Sequence, residues 1–306
     1  MTKKIIVLCG GFSDEKEISM KSSSAISAAL LENNYKVELV NPSDFHSYSE
    51  LLGYLKMKKP YIVFNGLHGA EGEDGRIQSL LSLEGIPFTG TKHTGSAIAM
   101  NKYASTLIAE ALKIPCPRQV LLTNNRQINE SEMDYLQLPF IVKPNSNGSS
   151  VGVSIISKPE QVEKAVIEAY KHDNMVLCQE FIPGRELTVS ILGDKTLPIV
   201  EIVPKEGLYD FNNKYTKGKT EYICPPDFSQ QDAELVKNYA KTIFTACSCS
   251  VYGRVDFRYN GKDFYFLEIN TLPGMTELSL TPMSAKAVGI SFNELIKEII
   301  NLSLQD

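Results

Sequence analysis

The sequence predicts an α/β chain with an α+β character in its later two thirds, and three observations carry that prediction. Through the first ninety residues, apolar runs of about five residues alternate with helical patterns: "KIIVLC", Ile18 to Leu31, "YKVELV", Ser49 to Met57, "YIVFN", Arg76 to Glu84 and "IPFTG". From about Thr94 strands begin to follow one another, "RQVLLT", "FIVKP" and "VGVSII", then "MVLCQEFI", "RELTVSIL" and "LPIVEIV". At 306 residues, 43% hydrophobic and 22% charged, the chain is long enough for roughly two domains of about 150 residues, or three small ones.

Strands separated by helices make right-handed βαβ units and a parallel sheet, so the N-terminal segment reads as Rossmann-like. Its first strand is followed only by Gly10-Gly11 and not by GxGxxG, so no dinucleotide site is implied. A helix is predicted over Ser96 to Leu112, ended by the paired prolines of "IPCPR", and another over Glu160 to Tyr170. The polar stretch Lys205 to Cys224, about twenty residues, has the length of a lid or binding loop. A helix (Gln230 to Cys247), a hairpin "VYGRVDFRYNGKDFYFLEIN" and a terminal helix ending near Leu302 complete the chain.

Net charge is −5, and no Lys/Arg block or aromatic-basic interleaving occurs, which argues against nucleic acid and for small-molecule partners. After two lysines, "IIVLC" offers five apolar residues, too few for a signal peptide or a membrane span, so a cytoplasmic protein without a membrane partner is expected. Six scattered cysteines without a CxxC pair read as buried thiols; Cys247 and Cys249 lack the partners of a zinc site.

The stretch "PFIVKPNSNGSSVGVS", Pro139 to Ser154, admits three functional readings. A P-loop needs its lysine after the glycines and before a helix, whereas Lys143 comes first and a β-branched run follows. Gly148 to Gly152 matches G-x-S-x-G, but a nucleophile elbow needs a helix after Ser150, and no aspartate lies between Ser150 and His172, the only downstream histidine. The third reading is a flap whose N–H groups and hydroxyls close over phosphates, with Lys143 as a point charge; the bland alternative is a glycine-rich turn.

Downstream, residues two apart on a strand share a face, so Arg254 goes with Asp256 and Glu268 with Asn270. Two carboxylates and an amide oxygen are hard donors that suit Mg²⁺ held jointly with phosphates. A tight Asn260-Gly261 turn would put Asp256 and Glu268 on opposite faces, so the metal reading requires an odd-membered loop near Lys262 or a compensating bulge. A charged, solvated face is the bland alternative. Past Asn270, "TLPGMT" makes a turn whose Gly274 N–H, with Arg254, suits a developing oxyanion.

Eight strings in register, "GGFSDEKEIS", "LHGAEGEDGRIQS", "IVKPNSNGSSVG", "FIPGRELTV", "YDFNNKYTKG", "YICPP", "GRVDF" and "LEINTLPGMTELSLTP", resemble the D-alanine–D-alanine ligases of the ATP-grasp superfamily over essentially the whole length. The resemblance implies a Rossmann-like substrate domain (1–93) followed by a two-domain ATP-grasp fold: a central subdomain (94–182) and a C-terminal one (183–306) with lid 205–224. It implies cytoplasmic ligation of two D-alanines through a D-alanyl phosphate, for peptidoglycan precursors. It further implies ATP with two Mg²⁺ ions, for which Mn²⁺ is a possible substitute, and a homodimer.

Matched residue by residue, Lys102, Lys143 and Lys214 meet phosphates, Glu186 meets the ribose, and the edge from Gln179 through Glu180 to Ile182 runs along the adenine. Asp256, Glu268 and Asn270 match the magnesium ligands. Glu15, linked through Tyr215 to Ser149, binds the first ammonium; His68 lies near the first substrate, and Ser279 and Leu280 meet the second. Arg254 and Gly274 form the oxyanion site. The chain departs from the family at Gln179, often acidic there, whose oxygen remains able to accept from the adenine amine. It departs again at Arg258, where an apolar residue is usual. The runner-up is a relative that joins D-alanine to D-lactate or D-serine; Tyr215 resembles the dipeptide-forming members, whereas depsipeptide-forming relatives tend to replace it. A nucleotide-binding module without catalysis would not need Arg254, both carboxylates and the Glu15-Tyr215-Ser149 set.

Overall fold

The computed structural model describes residues 3–148, 151–205, 218–276 and 279–306; Ser149, Ser150, Lys214 and Tyr215 lie outside the described residues. Strands β1 (Lys4–Leu8), β2 (Lys36–Val40) and β3 (Ile62–Asn65) form a parallel sheet in the order β2-β1-β3, alternating with helices α1 (Lys16–Glu32), α2 (Tyr48–Lys58) and α3 (Arg76–Leu83). Ile5 to Leu8 are fully buried, as a central strand covered on both faces requires. "IPFTG" does not become a fourth strand. It contributes one parallel bridge, Val63 to Phe88, beside Pro87, which has no N–H to extend the ladder.

The single helix expected over Ser96 to Leu112 is two, α4 (His93–Met100) and α5 (Lys102–Ala111). Asn101 breaks it: its backbone is extended, at φ −82° and ψ 95°, and its Oδ1 accepts from the Ala104 N–H at 3.0 Å. The second sheet is antiparallel, β4 (Gln119–Thr123), β5 (Phe140–Pro144), β6 (Ser154–Ile156) and β7 (Met175–Glu180), in the order β4-β7-β5-β6. "VGVSII" pairs only from Ser154, because Gly152 has φ +71°. One core is shared between this sheet and helices α6 (Glu130–Leu136) and α7 (Val162–Tyr170). Helix α6, not expected from the sequence, starts on a capping box of Asn129 and Glu132.

The third sheet comprises β8 (Arg185–Leu192), β9 (Lys195–Thr196), β10 (Val200–Pro204), β11 (Thr220–Ile223), β12 (Tyr252–Tyr259) and β13 (Phe264–Asn270), in the order β11-β10-β8-β12-β13 with β9 beside β8. The stretch expected as loop up to Cys224 is therefore strand from Thr220, paired with β10. One face of this sheet (Leu187, Val189, Val255, Phe257, Phe264, Phe266, Ile269) packs on α4, α5 and helix α8 (Gln230–Ala246). In place of one terminal helix there are α9 (Leu280–Ala287) and α10 (Phe292–Ser303), with Gly289 at φ +81° between them. No helix among the described residues is long and apolar enough to cross a membrane.

Candidate active site

On β12, Val255 and Phe257 are spent on the core, so Arg254, Asp256 and Arg258 share the opposite face. Strand β13 begins in phase with the core through Phe264 and Phe266 but returns to it at Ile269. A bulge accounts for the change: Asp256 pairs with Glu268 while Phe257 pairs with Phe266, so Leu267 is the extra residue. Glu268 and Asn270 thereby join Arg254 and Asp256 on one face. The compensating bulge that the metal reading requires is present, next to a turn at Gly261-Lys262 flanked by an Asn260 N–H to Asp263 carbonyl bond of 3.3 Å.

Arg254 donates through Nε and Nη2 to the two oxygens of Asp256, at 2.8 and 2.9 Å, and Thr188 on β8 donates to Oδ1 at 2.6 Å. Lys102, at the first position of α5, places Nζ 3.1 Å from Glu268 Oε2 and 2.7 Å from the Asn147 carbonyl. Among the described residues no three His, Cys, Asp or Glu side chains gather to hold a metal unaided. Two carboxylates and one amide oxygen on one face are hard donors for an ion completed by substrate oxygens, and to that extent these residues fit Mg²⁺.

Lys143 on β5 donates to Gln179 Oε1 at 2.8 Å. Burial pulls its ammonium down to about 8, against the Glu268 charge, which pulls it up. The Gln179 oxygen, which the sequence reading offers to an adenine amine, is thus occupied by lysine. Gln179 Nε2 and both amide atoms of its cross-strand neighbour Gln119 are buried without a hydrogen-bond partner among the described residues. Such atoms are uncommon in a folded interior, and a purine edge carries the complementary donors and acceptors. The Glu180 carboxylate faces elsewhere: Arg118 donates to it through Nε at 3.0 Å and Nη2 at 2.9 Å. Burial opposes its ionisation, and the Arg118 bonds outweigh burial, so its pKa lies below the usual carboxylate value.

A cavity of about 510 Å³ opens beside this face. Of the residues singled out in the sequence, Glu15, His68, Lys102, Arg254, Glu268 and Asn270 line it, together with Gly274, Ser279 and Leu280. Lys143, Gln179, Glu180, Ile182, Glu186 and Asp256 are not among its lining residues. Glu15 precedes α1, and its Oε2 lies so close to Gly148 that a Cβ built there would stand 2.6 Å away. Any side chain at Gly148 would displace the carboxylate. The Ser279 hydroxyl is taken up inside its own turn, accepting from the Thr276 N–H at 3.0 Å.

Glu73, Ser22 and Tyr222 have no role that the sequence motifs predict. Glu73 and Tyr222 also line the cavity. The Glu73 Oε1 accepts from the Gly69 N–H at 2.8 Å; burial first, and the Glu15 charge second, push its carboxyl up to about 8. Ser22 on α1 is 3.1 Å from His68 Nε2 and accepts from the Met275 N–H at 3.3 Å, so it joins the histidine to the turn that carries Gly274. Burial lowers the His68 pKa, with the Glu15 charge opposing. For Glu73 the available signal was its place in the "GEDG" segment of a string whose histidine alone was assigned.

A parallel-sheet unit joined to two further sheets, with lysines and carboxylates turned into the cleft, defines an ATP-grasp protein. A family model described as "D-ala D-ala ligase C-terminus" matches residues 108–301. The D-alanine–D-alanine ligase of Syntrophotalea carbinolica is 39% identical over 298 residues, 97% of this chain and 95% of the relative, and that of Nitrosospira multiformis is 41% identical over 302 residues, 98% and 96%. Among solved structures, the D-alanine–D-alanine ligase of Bacillus anthracis complexed with ATP superposes with a TM-score of 0.87 at 32% identity, over 99% of this chain and 98% of that one. The VanG D-Ala:D-Ser ligase of Enterococcus faecalis superposes with a TM-score of 0.82 at 27% identity, over 99% and 100%. The chain belongs to the D-alanine–D-alanine ligase family.

Proposed function

We infer that this protein joins two D-alanines to D-alanyl-D-alanine at the expense of ATP, in the synthesis of peptidoglycan precursors. The observation that carries this reading is the common face of Arg254, Asp256, Glu268 and Asn270, of which Arg254, Glu268 and Asn270 line one cavity with Lys102 and Glu15. In the first step a carboxylate oxygen of the first D-alanine attacks the γ-phosphorus and ADP leaves. In the second, the amine of the second D-alanine, having lost a proton, attacks the acyl carbon and phosphate departs. Enclosure of the cleft keeps water off the acyl phosphate.

Lys102 and Lys143 offset the charge of the phosphates. Asp256, Glu268 and Asn270 would hold Mg²⁺, two ions by family resemblance, which when bound neutralises charge on the transferring phosphoryl group. Glu15 faces the first ammonium, and Arg254 with the Gly274 N–H faces the oxyanion of the second step. Glu186 accepts from the ribose, and the backbone from Gln179 to Ile182 follows the adenine; Ser279 and Leu280 border the second substrate. Lys214, Ser149 and Tyr215 keep the roles that the resemblance implies. We take the division into 1–93, 94–182 and 183–306, a cytoplasmic location and a homodimer as part of the same reading.

ADP release with D-alanine alone, with D-alanine plus D-serine and with D-alanine plus D-lactate tests it, with the product identified by mass. D-alanyl-D-alanine as the main product at neutral pH is expected. A predominant mixed product would move the protein to the other specificities, and absence of turnover on every D-amino acid would leave a nucleotide-binding module. Light scattering in solution checks the dimer.

A further inference from the structure

Strand β12 presents a third charged side chain on the face of Arg254 and Asp256. Arg258 is the cross-strand partner of Glu186 on β8. It donates through Nη1 to Glu186 Oε2 at 3.1 Å and through Nε to the Ile182 carbonyl at 3.1 Å, with its guanidinium carbon 5.8 Å from the Phe181 ring centroid. The Arg258 and Glu186 side chains are only 15% and 18% exposed, so neither is a freely solvated surface group. These contacts fall on two elements, β8 and the 181–184 linker from the second sheet to the third. A guanidinium reaches both because its donors point in several fixed in-plane directions; an ammonium is a single point.

We propose that Arg258 is a positioning residue of the nucleotide site, holding the Glu186 carboxylate and the linker at Ile182 in one frame so that sugar and base are read together. This rests on the assignment of Glu186 to the ribose. Two physical effects follow from the ion pair. A carboxylate already held in one orientation loses less freedom when a sugar hydroxyl arrives. An uncompensated carboxylate would also repel the polyphosphate nearby, whereas the Arg258 charge offsets it. Turning the Ile182 carbonyl onto Arg258 fixes the path of the linker backbone between the two sheets.

The test compares KM for ATP and for 2′,3′-dideoxy-ATP, at saturating D-alanine and Mg²⁺, in the wild type, Arg258→Met, Arg258→Lys and Glu186→Met, the last of which removes the acceptor oxygens at similar volume. Arg258→Met should raise KM for ATP about tenfold and that for dideoxy-ATP by no more than about threefold, because the base and polyphosphate effects act on both nucleotides, so that the preference for the intact sugar shrinks. Its kcat and D-alanine KM should stay within about twofold, as an effect confined to nucleotide binding requires. Arg258→Lys should fall between, and it decides by the same ratio if Arg258→Met does not fold. Loss of the preference in Glu186→Met but not in the Arg258 variants would overturn the proposal alone. Retention of the preference in Glu186→Met would overturn the ribose assignment and the proposal with it.

Discussion

Glu73 shows how far a single carboxyl can be displaced by its surroundings. It is 9% exposed and shares its cavity with Glu15, and its pKa is pushed from an ordinary 4.5 up to about 8. The folded protein therefore keeps a proton that the unfolded chain loses near 4.5. The contribution of this group to stability is complete below 4.5, falls as pH rises through about 8, and does not change beyond. Glu73→Gln keeps a carbonyl oxygen for the Gly69 N–H but cannot ionise. Melting temperatures should show the variant gaining on the wild type between pH 4.5 and 8, with a plateau above; parallel curves would contradict the assignment. Glu268→Gln tests the metal reading instead. Activity should drop about a hundredfold or more while Tm shifts by no more than about 2–4 °C, and near-normal turnover would count against the reading. Glu268 was legible because its partners in the motif stand a few residues away. Ser22 was not, since its partners His68 and Met275 lie 46 and 253 positions further along the chain.

The hairpin of β12 and β13 shows a pattern that the sequence half reveals. Alternation marks Arg254, Asp256 and Arg258 as one face, but it fails across β13, where Phe266 and Ile269 both enter the core three residues apart. Only the bulge at Leu267 reconciles the two strands, and its need followed from requiring Asp256 and Glu268 to face one ion. Deleting Leu267 would leave Phe266 and Ile269 two positions apart, so a regular ladder would keep both in the core and Glu268 and Asn270 on the cleft face. The deletion variant should fold, with the strand signal of its far-UV circular dichroism retained, and keep more than about a tenth of wild-type kcat. Activity below detection in a folded variant would show that the bulge sets more of the site than the face of these side chains. The break between α4 and α5 was less legible, because apolar spacing runs straight through Asn101. Capping chemistry and the Asn145 side chain, which donates to Asn101 Oδ1 at 2.9 Å, override that spacing and bring Lys102 to the start of a helix.

Across the whole molecule, chain order and core membership do not coincide. The N-terminal parallel sheet was legible from its alternation, yet the core beneath it is completed from the far end of the chain. Leu295, Ile296, Ile299 and Ile300 of α10 are fully buried in the same cluster as Ile5, Val7, Ile26, Leu30, Ile62 and Phe64. Periodicity marks α10 as amphipathic but cannot say which sheet receives its apolar stripe; that depends on how the third sheet returns the chain past α9. Burying four such side chains contributes about 1.5–3 kcal/mol each, together comparable to the 5–15 kcal/mol that holds a domain folded. The chain ended after Gly289 should therefore lose the cooperative unfolding of its N-terminal unit, and residues 1–93 alone should not fold. Supplying α10 as a separate peptide covering residues 290–306 should restore a thermal transition to the truncated chain. A sharp transition in residues 1–93 without it would show that the parallel sheet needs only its own helices, and that α10 serves to dock the unit rather than to complete it.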